Sequence, residues 1–458
     1  MKVKGGICCT VVAVALIAAL VVPGCAPAPS PEEGPAPPAP KEPIKIGYIG
    51  QEASPGVKPD IEVARMAIEE INEAGGILGR PVEYIVADTK GETALSVEAC
   101  TRLVMEDKVL AYLIEGRSEI NLALQEKAAA LFPEYPHIAI TDGAMDRGIT
   151  DKCIDEPEKY KFWFRNWDPE PAHYCWIGDL VDFWRDELGA KNVALLYENL
   201  AWTTEWREGD PELGLPTWAD LIEQHGLKVV YLEAVPPRVG MYLPILEAIA
   251  KADADVIFYV SSWYTDTEVF SKQWAESSAK DIQPVLYGGV GQTKDFWPLT
   301  GGKCLGVMDS AGDLYLAANE TTIPFLEKAH ARGLSMQWQP HFTYATIHQL
   351  AKSIEKAGGT DDIDAIIKAM EEIEIPFSMG TFSYESERIK PFFHSRILCD
   401  PRDPYKAYSD PGFAFIQCQF QLDGEQVPIF APEWSALAEY SAPQKYKTPA
   451  QLRIEAGW

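Results

Sequence analysis

Histidine is scarce in this chain, and cysteine is poorly placed for metal chemistry. Seven His and nine Cys are scattered over 458 residues. No C-x-x-C and no Cys/His cluster occurs, so a zinc site is not expected. The signatures of common enzyme machineries are also missing: there is no G-x-S-x-G, no Walker A loop, no H-E-x-x-H and no G-x-G-x-x-G. Acid pairs such as Asp361-Asp362 and Glu371-Glu372 do occur, but a chain with 68 acids produces them by chance, and they read as solvated helix faces. Basic residues are the minority. Forty Lys and Arg against 68 Asp and Glu give a net charge of −28, which argues against nucleic acid or anionic lipid headgroups as partners. Past Ile44 no apolar run approaches the ~20 residues of a membrane span.

What is present begins at the N-terminus. Lys2 and Lys4 precede an apolar run from Ile7 to Val22, broken only by Thr10, and Gly24 and Cys25 follow. Basic, then apolar, then small is the layout of a secretory signal, with an uncleaved anchor helix as the alternative. Val22-Pro23-Gly24-Cys25 resembles the bacterial lipoprotein signal. That resemblance implies removal of residues 1–24, including Cys8 and Cys9, and acylation of Cys25 as the first mature residue. Without Lys2 and Lys4 the charge becomes 38 basic against 68 acidic residues, or −30. Residues 25–43 are rich in Pro and Ala (APAPSPEEGPAPPAPKEP after the cysteine). Proline favours extended, unpacked backbone, so this segment acts as a semi-rigid tether off a membrane surface. One acyl chain holds a protein weakly, so stable anchoring needs more than one. Six cysteines remain beyond Cys25; an exported chain permits disulfides, and their pairing stays open, as does the option of six buried thiols.

From Ile44 the chain alternates strand and helix. IKIGYIG (44–50) is a buried strand. Asp60 to Ala74 is a helix with Ile61, Ala64, Ile68 and Ile71 on one face, stopped by Gly75-Gly76. PVEYIVAD (81–88), VLAYLIEG (109–116) and HIAIT (137–141) are strands, with helices over 93–106 and 119–131 between them. The rhythm breaks at KFWFRNWDPEP (161–171) and restarts with strands NVALLYE (192–198), KVVYLEAV (228–235), DVIFYVS (255–261) and PVLYGG (284–289). Short-linked alternation means a parallel sheet covered on both faces. Here it occurs twice, so two open-sheet lobes are expected, with a ligand cleft beyond the strands' carboxyl ends. Helices follow within 322–373. The remainder is irregular except for a strand pair around Asp423-Gly424.

Four blocks in order carry a resemblance: AIEEINEAGGILGRPVEYIVADTKG (67–91), RLVMEDKVLAYLIEGRS (102–118), TYATIHQLAKSIEKAGG (343–359) and MGTFSYESERIKP (379–391). They resemble the branched-chain amino-acid type of solute-binding protein of ABC transporters over about residues 44–400. The resemblance implies a type I periplasmic binding fold of two doubly wound α/β lobes joined by a three-crossing hinge, a Venus-flytrap. The crossings fall near 165–170, 306–312 and 376–382. The first lobe is expected to comprise 44–166 with 308–378, and the second 167–307 with 379–458. It further implies a non-enzymatic receptor without cofactor, placed outside the cytoplasm. Its partners would be a small-molecule solute, the membrane through a lipid anchor, and the permease subunits of an ABC importer, with an amino acid as the default solute.

Candidate ligand residues follow from strand ends and from that resemblance. Gln51 directly follows the first strand. Ser118 opens the helix after the third strand, where the family binds a carboxylate; a hydroxyl and free N–H groups suit an anion there, although a plain N-cap uses the same residue type. Thr141 and Asp142 follow the fourth strand, Asp142 being suited to an ammonium group or to turn capping. In the second lobe Trp202, Trp263, Tyr264 and Gln292 stand at strand ends. Gln292 lies near the position where amino-acid-binding relatives carry an acid for the ammonium; Asp266 or Asp295 could substitute. Thirteen tryptophans make an aromatic-walled pocket a reasonable expectation. A tethered hydrolase and a sensor subunit for amides or aromatic acids are the rival classes.

Overall fold

Residues 42–396, 398–408, 414–441 and 445–458 are described by the computed structural model. The expected signal, Cys25 and the tether up to residue 41 lie outside the described residues. The first half runs β1 (Ile44–Gly50), α1 (Lys58–Glu73), β2 (Val82–Asp88), α2 (Thr93–Arg102), β3 (Ala111–Glu115), α3 (Ser118–Leu131), β4 (Ile138–Asp142), α4 (Gly148–Asp155), α5 (Pro157–Tyr160) and β5 (Trp163–Arg165). The sheet order is β2-β1-β3-β4-β5, all parallel, with Ile46 opposite both Tyr84 and Ala111. Covered faces are why β1, β3 and β4 read as unbroken apolar runs rather than alternating ones. Helix α1 starts at a proline in its first turn and ends before Gly75 and Gly76 at φ +104° and +75°. A Cβ on Gly76 would sit 2.0 Å from the Arg80 carbonyl, so the turn into β2 accepts only glycine.

The second run is α6 (Tyr174–Asp186), β6 (Asn192–Glu198), α7 (Thr204–Glu208), α8 (Trp218–Gln224), β7 (Lys228–Val235), α9 (Leu243–Lys251), β8 (Val256–Val260), α10 (Thr267–Glu276), β9 (Gln283–Tyr287), α11 (Phe296–Thr300) and β10 (Met308–Ser310). Strands β6 to β10 are parallel. A hairpin of β15 (Gln417–Phe420) and β16 (Gln426–Phe430) extends their sheet antiparallel to β10, turning at Asp423 with φ +59°. This is the strand pair expected around Asp423-Gly424.

Between the two runs of the second sheet the chain returns to the first lobe. Helices α12 (Thr322–Ala331), α13 (Trp338–Ala357) and α14 (Ile363–Glu372) and a hairpin of β11 (Ile375–Phe377) with β12 (Gly380–Phe382) pack there. Phe342, Ile347, Leu350 and Ile354 of α13 share the core of Ile46, Tyr48, Ile61 and Ile68. The chain then re-enters the second lobe, where β13 (Cys399–Asp400) and β14 (Asp403–Ala407) lie beside α6, and α15 (Pro449–Ala456) closes the described chain. The structure moves two expected boundaries. Met308–Ser310 belongs to the second sheet, so the return to the first lobe follows Ser310 instead of residue 307. Residues 379–396 stay with the first lobe. Ser395 bridges to Arg165, and Phe164 lies 4.9 Å from the Tyr384 ring and 4.0 Å from that of His394. The break at 161–171 holds β5, a three-residue strand too short to show a period. All six described cysteines are buried free thiols.

Candidate functional site

The carboxyl ends of both sheets face one cavity of about 130 Å³. At roughly 10–15 Å³ per water, it has room for on the order of ten water-sized groups. The first lobe contributes the loop before α1 (Gly56, Val57), the β3–α3 turn (Gly116 to Glu119), the segment after β4 (Gly143, Met145) and the start of α13 (Gln337 to Gln339). The second lobe contributes Leu200 and Trp202, the segment Ser261 to Tyr264, Tyr287 to Gly289, Gln292 and Ser310. The hinge adds Trp167, Asp168, His173, Trp176, Leu398 and Phe415.

The lobes are shut on each other. Trp263 packs so close to Gly56 that a Cβ there would lie 2.7 Å from two Trp263 carbons. The Arg117 guanidinium lies 5.1 Å from the Tyr264 ring centroid, a cation–π contact across the cleft. The Ala201 N–H donates to Glu119 Oε1 at 3.3 Å. At the rim, Arg147 of the first lobe reaches Asp210 (2.5 Å), Glu212 (2.8 Å) and Glu205 (3.4 Å) of the second.

Five of the eight sequence candidates line this cavity: Ser118, Trp202, Trp263, Tyr264 and Gln292. Ser118 is the first residue of α3, and its Oγ accepts the Asp146 N–H at 3.3 Å, leaving its own O–H to donate. The first-turn N–H groups of α3 have no partner within the helix and carry its positive end, so this corner suits an anion. Trp202 Nε1 donates to buried Glu198 at 2.8 Å, which fixes the indole plane. Gln292 Nε2 donates to Ser310 Oγ at 3.2 Å.

The other three lie outside the lining. Gln51 sits on the far side of the β3 end, where its N–H donates to Glu115 at 3.2 Å. Thr141 and Asp142 are fully buried in β4. The Asp142 carboxylate accepts from Tyr48 (2.9 Å), Asn166 (2.6 Å) and Thr343 (2.7 Å), and burial raises its pKa to about 6. Asp142 therefore braces β1, β4, the first crossing and α13 beneath the cavity floor, which replaces the ammonium contact expected of it. Asp266 is likewise spent, accepting from the Gly240 N–H at 2.9 Å and the Tyr242 hydroxyl at 2.5 Å.

Sequence reasoning missed Arg117, Trp167, His173, Trp176, Tyr287, Trp338 and Gln339. The hinge aromatics had a signal: the density of rings in KFWFRNWDPEPAHYCW, which reads as a broken rhythm rather than a wall. Among the described residues lining the cavity the carboxylates are Glu119 and Asp168. Glu119 accepts from Ala201, and buried Asp168 is paired with Arg396 at 3.2 Å. Eight aromatic rings stand against these two acids, so the wall is largely apolar, with an anion corner at Ser118.

Acids at the rim and at the hinge are enclosed as well. Burial raises the pKa of Glu205 and of Glu170, and the negative charges of Asp210 and Asp146 push Glu205 further up against the pull of Arg147. A carboxyl raised in the folded state is protonated there while the unfolded chain has already ionised. Its contribution is fully present below the ordinary carboxylate range and is lost as pH rises through the raised value. The melting temperature is therefore expected to fall as pH rises from about 5 into the neutral and mildly alkaline range, and Glu205→Gln is expected to flatten that slope. An unchanged slope in calorimetry would remove Glu205 as its source.

A profile of the periplasmic binding protein family matches residues 43–390, and the chain belongs to that family, whose members work outside the cytoplasm. The chain is similar to Leu/Ile/Val-binding protein homolog 3 of Brucella melitensis, at 22% identity over 74% of this chain and 87% of the relative. It is also similar to an amino acid binding protein of Pseudomonas aeruginosa, at 24% identity over 66% of this chain and 75% of the relative. Both relatives are, by name, amino-acid-binding proteins, the first of the branched-chain kind. In fold it resembles LivJ of Streptococcus pneumoniae, solved in complex with isoleucine, with a TM-score of 0.63 and 17% identity over 84% of this chain and 97% of that one. It equally resembles a solute-binding protein of Rhodopseudomonas palustris BisB5 solved in complex with 3,4-dihydroxybenzoic acid, with a TM-score of 0.62 and 20% identity over 84% of this chain and 94% of that one.

Proposed function

We propose that the protein is the lipid-anchored solute receptor of an ABC importer, held to the membrane through Cys25. It captures a small organic acid with an aromatic or bulky apolar body and performs no chemistry on it. The observation that carries this reading is the wall of the cavity: an anion corner at Ser118 and the start of α3, eight aromatic side chains, and two lining carboxylates of which Asp168 is already paired with Arg396. A zwitterionic amino acid would bring its ammonium group to a wall where Asp168 is already paired with Arg396 and Glu119 is the one lining acid left to meet it, and a buried unpaired charge is costly. An aromatic carboxylate makes no such demand. The solved relatives have been crystallised with both kinds of solute, so the cavity rather than the kinship favours the aromatic acid. Solute contacts to both lobes favour the shut form, and the permease reads that form.

A thermal-shift screen over amino acids, amides and aromatic carboxylates tests this. A solute at a hundred times its Kd stabilises by about 2.7 kcal/mol, so binders stand out. Aromatic carboxylates are expected to raise the melting temperature; a response confined to amino acids, or conversion of any solute to a product, overturns the reading. In calorimetry, Trp202→Ala combined with Trp263→Ala is expected to weaken the bound acid at least tenfold while unfolding stays cooperative. Unchanged affinity would take those rings out of the site.

A further inference from the structure

The excursion from β6 to α8 carries TEWREGDPE (204–212), four acids against one arginine. Two of these acids, Glu205 and Asp210, have side chains 12% and 2% exposed and face Arg147 of the first lobe at 3.4 and 2.5 Å. Glu170, at the start of the hinge turn Glu170–His173, is 1% exposed and is repelled by both Glu205 and Asp146. To this seam the first lobe brings Asp146, Asp151, Arg147 and Arg165, two charges of each sign. The hinge and the second lobe bring three acids, Glu170, Glu205 and Asp210. Arg207 of the same excursion is turned to the Thr203 and Thr204 hydroxyls, and Glu212 is 73% exposed. Lys390, beside Asp151, is paired with Asp155, and Glu119 adds its negative charge near Asp146. The Tyr174 hydroxyl, near Glu205 and Asp210, is neutral and donates to the Pro216 carbonyl at 2.5 Å.

Shut, the two lobes therefore hold five enclosed acids against two guanidinium groups. Arg165 is fully buried and spends its donors on the Ala144 and Met145 carbonyls and on Thr150. Arg147 gives its short contacts to Asp151 at 2.9 Å and to Asp210, leaving Glu205 the long one. Neither Glu205 oxygen receives a hydrogen bond. An enclosed carboxyl among like charges and without a donor favours its neutral form. Opening parts the balanced set of the first lobe from the acidic set of the second, and that preference goes with it.

We propose that solute capture is coupled to the uptake of one proton at this seam, held by Glu205, so that the receptor loads as its surroundings acidify and unloads as they turn alkaline. The proton comes from the buffer and adds to a Glu205 carboxylate oxygen; no other bond changes. This goes beyond the reading of the solute and holds for an aromatic acid and an amino acid alike, because it needs only that capture shuts the lobes. In the shut form burial, with Asp210, Asp146 and Asp151 adding to it against Arg147, raises Glu205 to about 8. In the open form the carboxyl returns to its ordinary range. A group raised in the shut form stabilises that form fully at low pH, and the stabilisation is lost as pH rises through the raised value. Linkage is reciprocal, so a solute that shuts the lobes draws the proton in.

Calorimetric titration at pH 7 in phosphate and in Tris, whose ionisation enthalpies differ widely, counts the protons. The probes are benzoate and isoleucine, which keep their charge between pH 6 and 7.5. Whichever binds is expected to bring in about half to one proton, and its affinity to rise about three- to tenfold for each unit the pH is lowered over that range. Glu205→Gln, which keeps the shape of a protonated carboxyl, is expected to bind at pH 8 about as tightly as wild type binds at pH 6, with no uptake. Wild-type heats that agree in the two buffers overturn the proposal whatever the variant does, and so does uptake that survives Glu205→Gln. Solute-free scattering reads the same linkage without a probe. The wild-type radius of gyration is expected to fall as pH is lowered from 8.5 to 6, and that of Glu205→Gln to stay constant. If neither probe binds and the radius ignores pH, the proposal falls. If isoleucine alone binds, with uptake, the proposal stands and the aromatic-acid reading falls.

Discussion

Gly56→Val is expected to weaken solute capture by one to two orders of magnitude without destabilising the solute-free protein. The backbone at Gly56 lies outside the left-handed region, so a side chain costs nothing locally. The loop is held from its own lobe, where Gln337 Nε2 donates to the Gly56 carbonyl at 2.6 Å. The obstruction comes from the other lobe. A Cβ would meet Trp263 Cβ and Cγ at 2.7 Å and Cδ2 at 2.9 Å, which no packed interior tolerates. Overpacking of this kind costs about 1–3 kcal/mol, and it falls on the shut form alone, because opening carries Trp263 away. A penalty confined to one state shifts the equilibrium between states by its full amount. At about 1.4 kcal/mol per decade the loss is roughly tenfold to a hundredfold. Calorimetric affinity together with the unliganded melting temperature decides the matter. If Gly56→Val binds as tightly as wild type, the close contact does not govern capture.

Arg147→Ala is expected to have the larger effect. Arg147 stands just before α4, where Asp151 of that helix accepts from it at 2.9 Å. Its remaining partners belong to the excursion between β6 and α8 in the other lobe. Asp210 there is almost wholly buried, and its Oδ1 already accepts the Glu212 and Leu213 N–H groups at 2.9 and 3.1 Å, so it cannot turn out to water. Removing the guanidinium leaves Asp210 enclosed without a cation. Breaking a buried pair costs about 3–5 kcal/mol. Because Arg147 keeps some solvent contact, a loss in affinity of roughly 30-fold to 1000-fold is expected. Small-angle scattering should show a larger open population at saturating solute, and Arg147→Lys should recover part of the loss, since it restores charge but not the fork. An Arg147→Ala protein that shuts normally would show the rim pairs to be incidental to closure.

The fold was legible where burial on both faces writes a contiguous apolar run, as in IKIGYIG and AYLIE. It was illegible where three residues suffice for a strand. Trp163–Arg165 and Met308–Ser310 are too short for any period, and both stand at lobe crossings, which is why the expected boundary at 307 fell one strand early. At the site, Ser118 could be read because a strand-to-helix turn leaves its N–H groups exposed whatever lies around it. Asp142 could not. It too ends a strand, but the side on which its carboxylate emerges depends on Tyr48, Asn166 and Thr343, which come from three other parts of the chain. His173 and Trp338 belong to segments that meet only when both lobes are assembled, so no local pattern marks them.

The return of α13 to the first lobe has a consequence for biogenesis. As the polypeptide emerges N-terminus first, β1 to β5 are complete long before Trp338–Ala357 arrives to cover them. An apolar sheet face waits, unpaired, through the synthesis of most of the other lobe. Folding on the ribosome would stall there in a sticky intermediate, and a chain bound for export gains from leaving the compartment as an extended thread and collapsing only once its last third has crossed.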